Sequence, residues 1–172
     1  NMDWILHEAM CLEKDKEKLP NQTYTSGEAV TLADYNWHVL GDDGTNVTLL
    51  MDAGQITDRK HCTEDKDATT DCGTNGKSYV YSWDKSLIRK YLNEVFYLEI
   101  SNKISNEIIA TEICAGPSRR DGVTTYGGYL KSEINAISGA SCNNGYVTDY
   151  VRLISNNEYT TLKSNVSDTT WL

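Results

Sequence analysis

Five cysteines are the first residues in this chain that could do chemistry: Cys11, Cys62, Cys72, Cys114 and Cys142. None of them forms a CxxC pair, so neither a zinc ribbon nor a thioredoxin-type redox motif is indicated. Cys62 and Cys72 flank a polar loop, residues 61–73, rich in Thr, Asp and Lys. Closing such a loop with a disulfide is a natural use of two cysteines. Cys114 and Cys142 bracket a second loop-rich stretch and are also able to pair. Cys11 is then left over, either free or joined to a cysteine outside the chain. The rival reading is five reduced thiols in a cytosolic protein. The hydrophilic setting of Cys62 and Cys72 argues against it, because unpaired structural cysteine tends to be buried.

The other reactive groups form no recognisable constellation. His7, His38 and His61 lie far apart, with no HxH or HExxH spacing, so no metal site is expected. His38, beside Trp37, reads as a partly buried sheet residue. The acids around Glu64, Asp65 and Asp67 carry oxygens of the kind calcium prefers, but they lack EF-hand spacing and Lys66 sits among them. They read as a solvated loop. There is no GxSxG elbow, and the Gly-rich stretch 115–129 holds neither GxxxxGK[ST] nor GxGxxG. No cofactor and no catalytic residue is expected.

Composition narrows the partners. A formal charge of −9 argues against nucleic acid and anionic membrane, which need a basic footprint. Arg119-Arg120 is a compact basic pair, and two charges do not make a patch. No run of about 18 apolar residues is present, so no segment of this chain is expected to enter a membrane. The start, Asn1-Met2-Asp3-Trp4, shows no signal peptide and reads as a processed or truncated beginning. Three sequons, at Asn21, Asn46 and Asn165, are expected by chance in an Asn/Thr-rich chain. The 11 Tyr and 4 Trp against a single Phe are unusual. Such rings join an apolar body to a polar tip, which suits half-exposed binding surfaces as well as the core of a polar secreted protein.

Elements must position these groups. Trp4, Ile5, Ala9 and Leu12 fall near a 3.6 spacing and predict an N-terminal helix over 3–19, ended by Pro20. It divides the chain into a helix, 1–20, and a domain, 21–172. Residues 36–40 and 47–51 predict a hairpin around the Asp43-Gly44 turn, with Trp37 and Val39 on one face and His38 and Leu40 on the other. Residues 57–78 are a long polar loop. Leu87, Ile88, Tyr91, Leu92, Val95 and Phe96 form one apolar stripe of a helix over 83–97, capped by Asp84 or Ser82, with Arg89, Lys90 and Asn93 pointing away. The alternation of Ile109, Thr111 and Ile113 predicts a strand entering Cys114. A short helix follows over 129–137 and an apolar strand over 145–154. Ser155-Asn156-Asn157-Glu158 is a capping box, so a helix starts at Ser155.

Three stretches together carry a resemblance. They are the hairpin from Tyr35 to Asp52, the helix from Ser82 through Arg89-Lys90-Tyr91-Leu92-Asn93, and Tyr150-Val151-Arg152-Leu153-Ile154-Ser155-Asn156-Asn157-Glu158-Tyr159. Their order resembles a family of uncharacterised Gram-positive extracellular domains found in prepilin-like and surface-repeat proteins. That family has a tryptophan-bearing hairpin, a helix reading S-x-L-R-x-W-L-N, and a turn reading V-x-L-x-S-x-x-E-Y. The last stretch is also similar to the R-L-P-T-x-x-E-W turn of the C-type-lectin-like and formylglycine-generating-enzyme superfamily, with Ile154 in place of Pro. The resemblance covers about residues 28–172. It implies an α+β, C-type-lectin-like fold of antiparallel sheets, two or three helices and disulfide-stapled loops. It also implies a closing region beyond Trp171-Leu172, so the fold is expected to continue there. The late cysteines of the formylglycine-generating enzymes find no match, and that activity is not implied.

The expected function is therefore non-enzymatic: a secreted bacterial cell-surface or pilus-associated domain for adhesion or ligand display. Its partner would be a host or cell-surface glycan or protein, or other pilus subunits. Tyr126, Tyr129 and Tyr146 are the candidate ligand-binding residues, in the loops at 115–129 and 143–150. Two alternatives stand beside it. One is a pilin-like subunit that polymerises through the helix at 3–19. The other is an enzyme of the formylglycine-generating group.

Overall fold

The computed structural model describes residues 8–13, 22–52, 55, 83–116, 118–120, 123–125 and 129–165. The fold is α+β with antiparallel sheets. The hairpin expected from the Asp-Gly turn is present as β3 (Tyr35–Asp42) and β4 (Asn46–Met51). Asp43 closes the turn, its Oδ1 accepting from the Thr45 and Asn46 amides at 2.9 and 2.7 Å. Gly44 sits there at φ +97°, a conformation that favours glycine. Trp37 and Val39 are fully buried, while His38 and Leu40 on the opposite face are half-buried. A two-residue turn at Ala33-Asp34 joins β3 to β2 (Ala29–Leu32).

The N-terminal segment corrects an expectation. Over Glu8–Glu13 the chain is a strand, β1, and not part of a helix spanning 3–19. It lies inside the main sheet, whose order is β11-β1-β4-β3-β2, with β5 (Ile108–Ile109) also on β1. One side of β1 pairs with β4 from Ala9↔Leu50 to Glu13↔Asn46. Its other side pairs first with β11 (Val151–Leu153) and then with β5. The few apolar residues here fit either period. The sheet decides, because it satisfies the backbone groups of β1 on both sides and buries Ala9 and Met10 on opposite faces. Residues 8–13 thus belong to the same sheet as the domain expected to begin at residue 21.

The core lies between this sheet and a helical segment. That segment runs as α1 (Leu87–Tyr91), a π-helical turn (Leu92–Phe96) and α2 (Tyr97–Ser101). Ile88, Leu92, Phe96 and Ile100 are fully buried against Met10, Trp37, Val39, Leu49, Met51 and Val151. Four residues in strict i+4 succession would drift around an ordinary α-helix. The π-turn, with its wider i→i+5 winding, holds them in line. The same turn leaves Val95, expected on the apolar stripe, 55% exposed. Asp84 does not cap this helix, and Ser82 lies outside the described residues. A 3₁₀ turn, Trp83–Lys85, comes first, and Ser86 accepts from the Arg89 amide at 3.1 Å. Among the described residues, no helix is long and apolar enough to cross a membrane.

A second, two-stranded sheet pairs β6 (Thr111–Cys114) with β10 (Tyr146–Asp149). A third joins β7 (Ser118–Arg120) to β8 (Val123–Thr125) and β9 (Ser141–Cys142), within and beyond the stretch expected to be loop. Two further helices lie among the described residues, α3 (Lys131–Ala136) and α4 (Asn156–Asn165). α4 begins directly after Ser155 as expected, and α3 lies within the helix expected over 129–137, starting two residues later. The capping box at α4 is complete: the Ser155 amide donates to Glu158 Oε1 at 3.0 Å, and the Glu158 amide donates to Ser155 Oγ at 3.1 Å.

Candidate functional site

The small sheet gathers two of the three tyrosines singled out from the sequence. Tyr146 on β10 stands opposite Cys114 on β6. On the other side of β6, the Ile113–Leu130 bridge sets an antiparallel register, and the Cys114 amide donates to the Tyr129 carbonyl at 2.9 Å. Residues directly opposite one another in antiparallel pairs share a face. Tyr129, Cys114 and Tyr146 therefore form one row, with both tyrosines half-buried at its ends. Tyr126 lies outside the described residues.

The disulfide Cys114–Cys142 anchors this row. It ties the last residue of β6 to β9 and closes the loop that contains α3. The backbone approaches closely where the disulfide crosses: the Ala115 amide donates to the Gly145 carbonyl at 2.9 Å. A Cβ on Gly116 would lie 2.5 Å from Asn144 Nδ2, so the exposed Asn144 side chain would have to move aside for it. The other expected disulfide, Cys62–Cys72, lies outside the described residues, as does the acidic run 64–67. Cys11, the cysteine left over, is free and half-buried on β1. Burial raises its thiol, a Thr48 hydrogen bond opposing.

Charged groups border the tyrosines. Lys131, first residue of α3, reaches Glu112 at 3.0 Å and lies 5.3 Å from the centre of the Tyr146 ring. Both partners of the ion pair are well exposed. The row thus offers aromatic rings, one ammonium and one carboxylate to solvent. The reverse face of the sheet is committed to the interior: Ile113 and Asp149 are buried and Val147 packs on the core.

Asp149 fixes that interior face. It is 1% exposed in the side chain and accepts from the Trp83 indole at 2.6 Å and from Arg89 Nε at 2.9 Å. Asn93, one turn along the helix, accepts from the Tyr150 and Val151 amides and donates to the Val151 carbonyl at 2.8 Å. Arg89 and Asn93 were expected to point away from the core. They face it because the chain bends at Tyr150 between β10 and β11, where its amides need partners. Tyr97 stacks on Tyr150 at the same corner, with ring centres 4.2 Å apart.

A second polar cluster joins α3, β11 and α4. Arg152, buried at 3% exposure, forms a two-point ion pair with Glu158 at 2.6 and 3.0 Å. Ser155 Oγ donates to Glu133 Oε1 at 2.6 Å, and the Leu130 amide donates to Glu133 Oε2 at 3.0 Å. Glu133 stands out by no signal in the sequence, and Arg152 enters there only as part of the resemblance. Burial lifts the Glu133 carboxyl above its ordinary value; the Ser155 and Leu130 bonds oppose this and Glu158 adds to it. Burial also pushes Glu158 up, but Arg152 and the Ser155 donors together outweigh it and hold Glu158 below its ordinary value.

His38 lies apart from both clusters as a half-buried sheet residue, its Nδ1 paired with the Asp52 carboxylate. Among the described residues, no three His, Cys, Asp or Glu side chains gather as a metal site would require.

No curated protein and no solved structure matches the chain. One family profile does, over residues 45–167, which is more than two thirds of the sequence and includes the tyrosine row, the disulfide and both polar clusters. The chain therefore belongs to the family described as a domain of unknown function, DUF6273.

Proposed function

We propose that this chain is an extracellular recognition domain of a bacterial cell surface, binding a glycan or a protein surface through the tyrosine row of its small sheet. The observation that carries the reading is the row Tyr129–Cys114–Tyr146, anchored by the Cys114–Cys142 disulfide and bordered by Lys131 and Glu112. Tyrosines present rigid apolar area at low entropic cost, and their hydroxyls reach polar groups of a ligand. A sugar ring offers the complement: C–H faces for the aromatic rings, hydroxyls for an ammonium and a carboxylate. Disulfides persist in oxidising compartments, which supports the extracellular location. The C-type-lectin-like arrangement implied by the sequence resemblance belongs to the same reading.

Recognition rather than catalysis fits the acids of this region. Glu158 is held by Arg152, Glu133 by the cap of α3, and Asp149 by Arg89 and Trp83. The filament reading loses part of its basis, since the helix expected to pack between subunits is a sheet strand over Glu8–Glu13.

The test is a glycan array and a surface-protein pull-down with the intact chain, repeated with Tyr129→Ala and Tyr146→Ala. Expected is a binder whose retention falls by at least tenfold in the double variant, about 1.4 kcal/mol. No binder, or one indifferent to both substitutions, would count against the reading.

A further inference from the structure

We propose that the tyrosine face takes a glycan of amino sugars, whose ammonium replaces that of Lys131 between Glu112 and the Tyr146 ring. The inference rests on the recognition reading above and narrows it to one ligand class.

Lys131 shows what the niche accepts. Ile113 of β6 pairs with Leu130 at one edge and with Val147 of β10 at the other, so Lys131 and Tyr146 start from opposite sides of β6. The Lys131 side chain nevertheless carries its ammonium to within 5.3 Å of the Tyr146 ring centre, and Nζ donates to both Glu112 oxygens at 3.0 Å. A carboxylate at hydrogen-bonding distance and a ring face within cation–π reach are the two groups that recognise an ammonium. The chain fills this niche with a tethered cation of its own. That cation is exchangeable. The Lys131 and Glu112 side chains are 39% and 50% exposed, and a surface ion pair of this kind contributes little. A ligand ammonium that takes over both contacts lets the flexible lysine stem swing its charge into water.

The formal charge of −9 favours such a ligand, because it draws cations toward the surface and speeds their approach. Ring spacing then separates a glycan from a lysine side chain. Tyr129 and Tyr146 flank Cys114 on its two sides, so their backbones lie two strand spacings apart, about 10 Å. One lysine side chain meets Glu112 and Tyr146 but leaves Tyr129 unused. An extended chain of sugar rings spans both tyrosines while one of its amines reaches Glu112. Thr148, exposed and opposite Glu112, adds a hydroxyl beside the niche for the hydroxyls of the sugar.

Titration calorimetry of the intact chain compares three probes, in a buffer acidic enough to protonate the probe amines. They are a glucosamine oligomer, its N-acetylated counterpart of equal length, and a lysine peptide with the same number of amines. The glucosamine oligomer should bind roughly tenfold more tightly than either of the others. Replacing both tyrosines by Ala leaves the net charge unchanged and should weaken that binding about tenfold, which separates the niche from general attraction to an acidic chain. Glu112→Gln should weaken it similarly. Lys131→Met should tighten it roughly three- to tenfold by emptying the niche, whereas Lys90→Met, the same change of charge at an exposed position of α1, should stay within about twofold. Equal or tighter binding of the N-acetylated oligomer overturns the ammonium assignment, and if that binding needs both tyrosines the recognition reading stands without it. A lysine peptide that binds as tightly as the glucosamine oligomer overturns the glycan. Weaker binding by Lys131→Met overturns the exchange, since the lysine is then itself a ligand contact. Silence from all three probes overturns the inference, while the wider glycan and protein screen still decides the recognition reading. The wild-type comparison of the two oligomers decides even if a variant fails to fold.

Discussion

The half of the molecule built on β1–β4 and the helix at 87–101 is held by apolar contact, whereas the end that carries the tyrosine row is held by polar and covalent ties. Trp37, Phe96, Met10, Leu49 and Ile88 are fully buried in the first region, and the Trp37 indole finds its partner locally in the Leu32 carbonyl at 2.9 Å. In the second region the fastenings are the Cys114–Cys142 disulfide, the buried Asp149 with Arg89 and Trp83, and the Arg152–Glu158 pair. Close packing is indifferent to pH and redox state but unforgiving of lost volume. Ion pairs and disulfides tolerate looser packing and respond to both conditions. A binding face placed on the second region can therefore vary without disturbing the first.

The contrast is broken most severely by Phe96→Ala. Phe96 packs edge-on against Tyr35, with ring centres 5.4 Å apart, and is fully buried. Removing it should cost about 4 kcal/mol in urea unfolding, with the loss shared by the whole main sheet. A loss under about 1 kcal/mol would show that the apolar half is not the main source of stability. The next largest effect belongs to the other region. The disulfide spans a sequence separation of 28, for which loop closure predicts about 3.6 kcal/mol. A Cys114→Ala, Cys142→Ala double variant should lose about that much, and exchange should quicken first in β6 and β10. If the β3–β4 hairpin loosens equally early, the two regions are one cooperative unit and the distinction falls.

Legibility in the sequence divides along the same line. The hairpin is readable because Asp43-Gly44 and the alternation of Trp37 and Val39 are local signals. So is the Ser155–Glu158 box. The stripe Ile88, Leu92, Phe96 is readable too, although the π-turn that aligns it leaves no such signal and Val95 is misplaced as a result. β1 misleads because six residues cannot declare a period without the neighbours that satisfy them, Leu50 on one side and Arg152 on the other. Tyr129 and Tyr146 can be singled out by residue type, and Cys114–Cys142 by position. That these four converge depends on a register set by distant pairing. Least legible is Arg89 with Asp149, whose separation of 60 residues hides their pairing from any local pattern. Arg89 and Asn93 look like a solvent face until the bend at Tyr150 demands partners.

The smallest expected effect lies in the apolar half and runs in the opposite direction. Ala33 and Asp34 join β2 to β3 with φ of +54° and +66°, both left-handed and neither glycine. A two-residue hairpin turn of this kind favours glycine at its second position, because a Cβ is strained there. The Asp34 side chain is 83% exposed, and its contact with Lys103 at 3.2 Å is a surface pair that adds little. Lys103 retains Glu99 at 3.4 Å, and Glu99 in turn holds the Tyr35 hydroxyl at 2.9 Å. Burial, with Glu99 adding to it, pushes that hydroxyl up to about 12, so it stays a donor at any ordinary pH. Asp34→Gly therefore relieves strain without releasing Tyr35 from the helix. The gain should be about 0.5 kcal/mol, or about 1–2 °C in Tm for a chain of this size, read in paired thermal melts. A fall in Tm instead would mean that the turn depends on the Asp34 side chain, and that even in the apolar half a charged contact outweighs backbone strain.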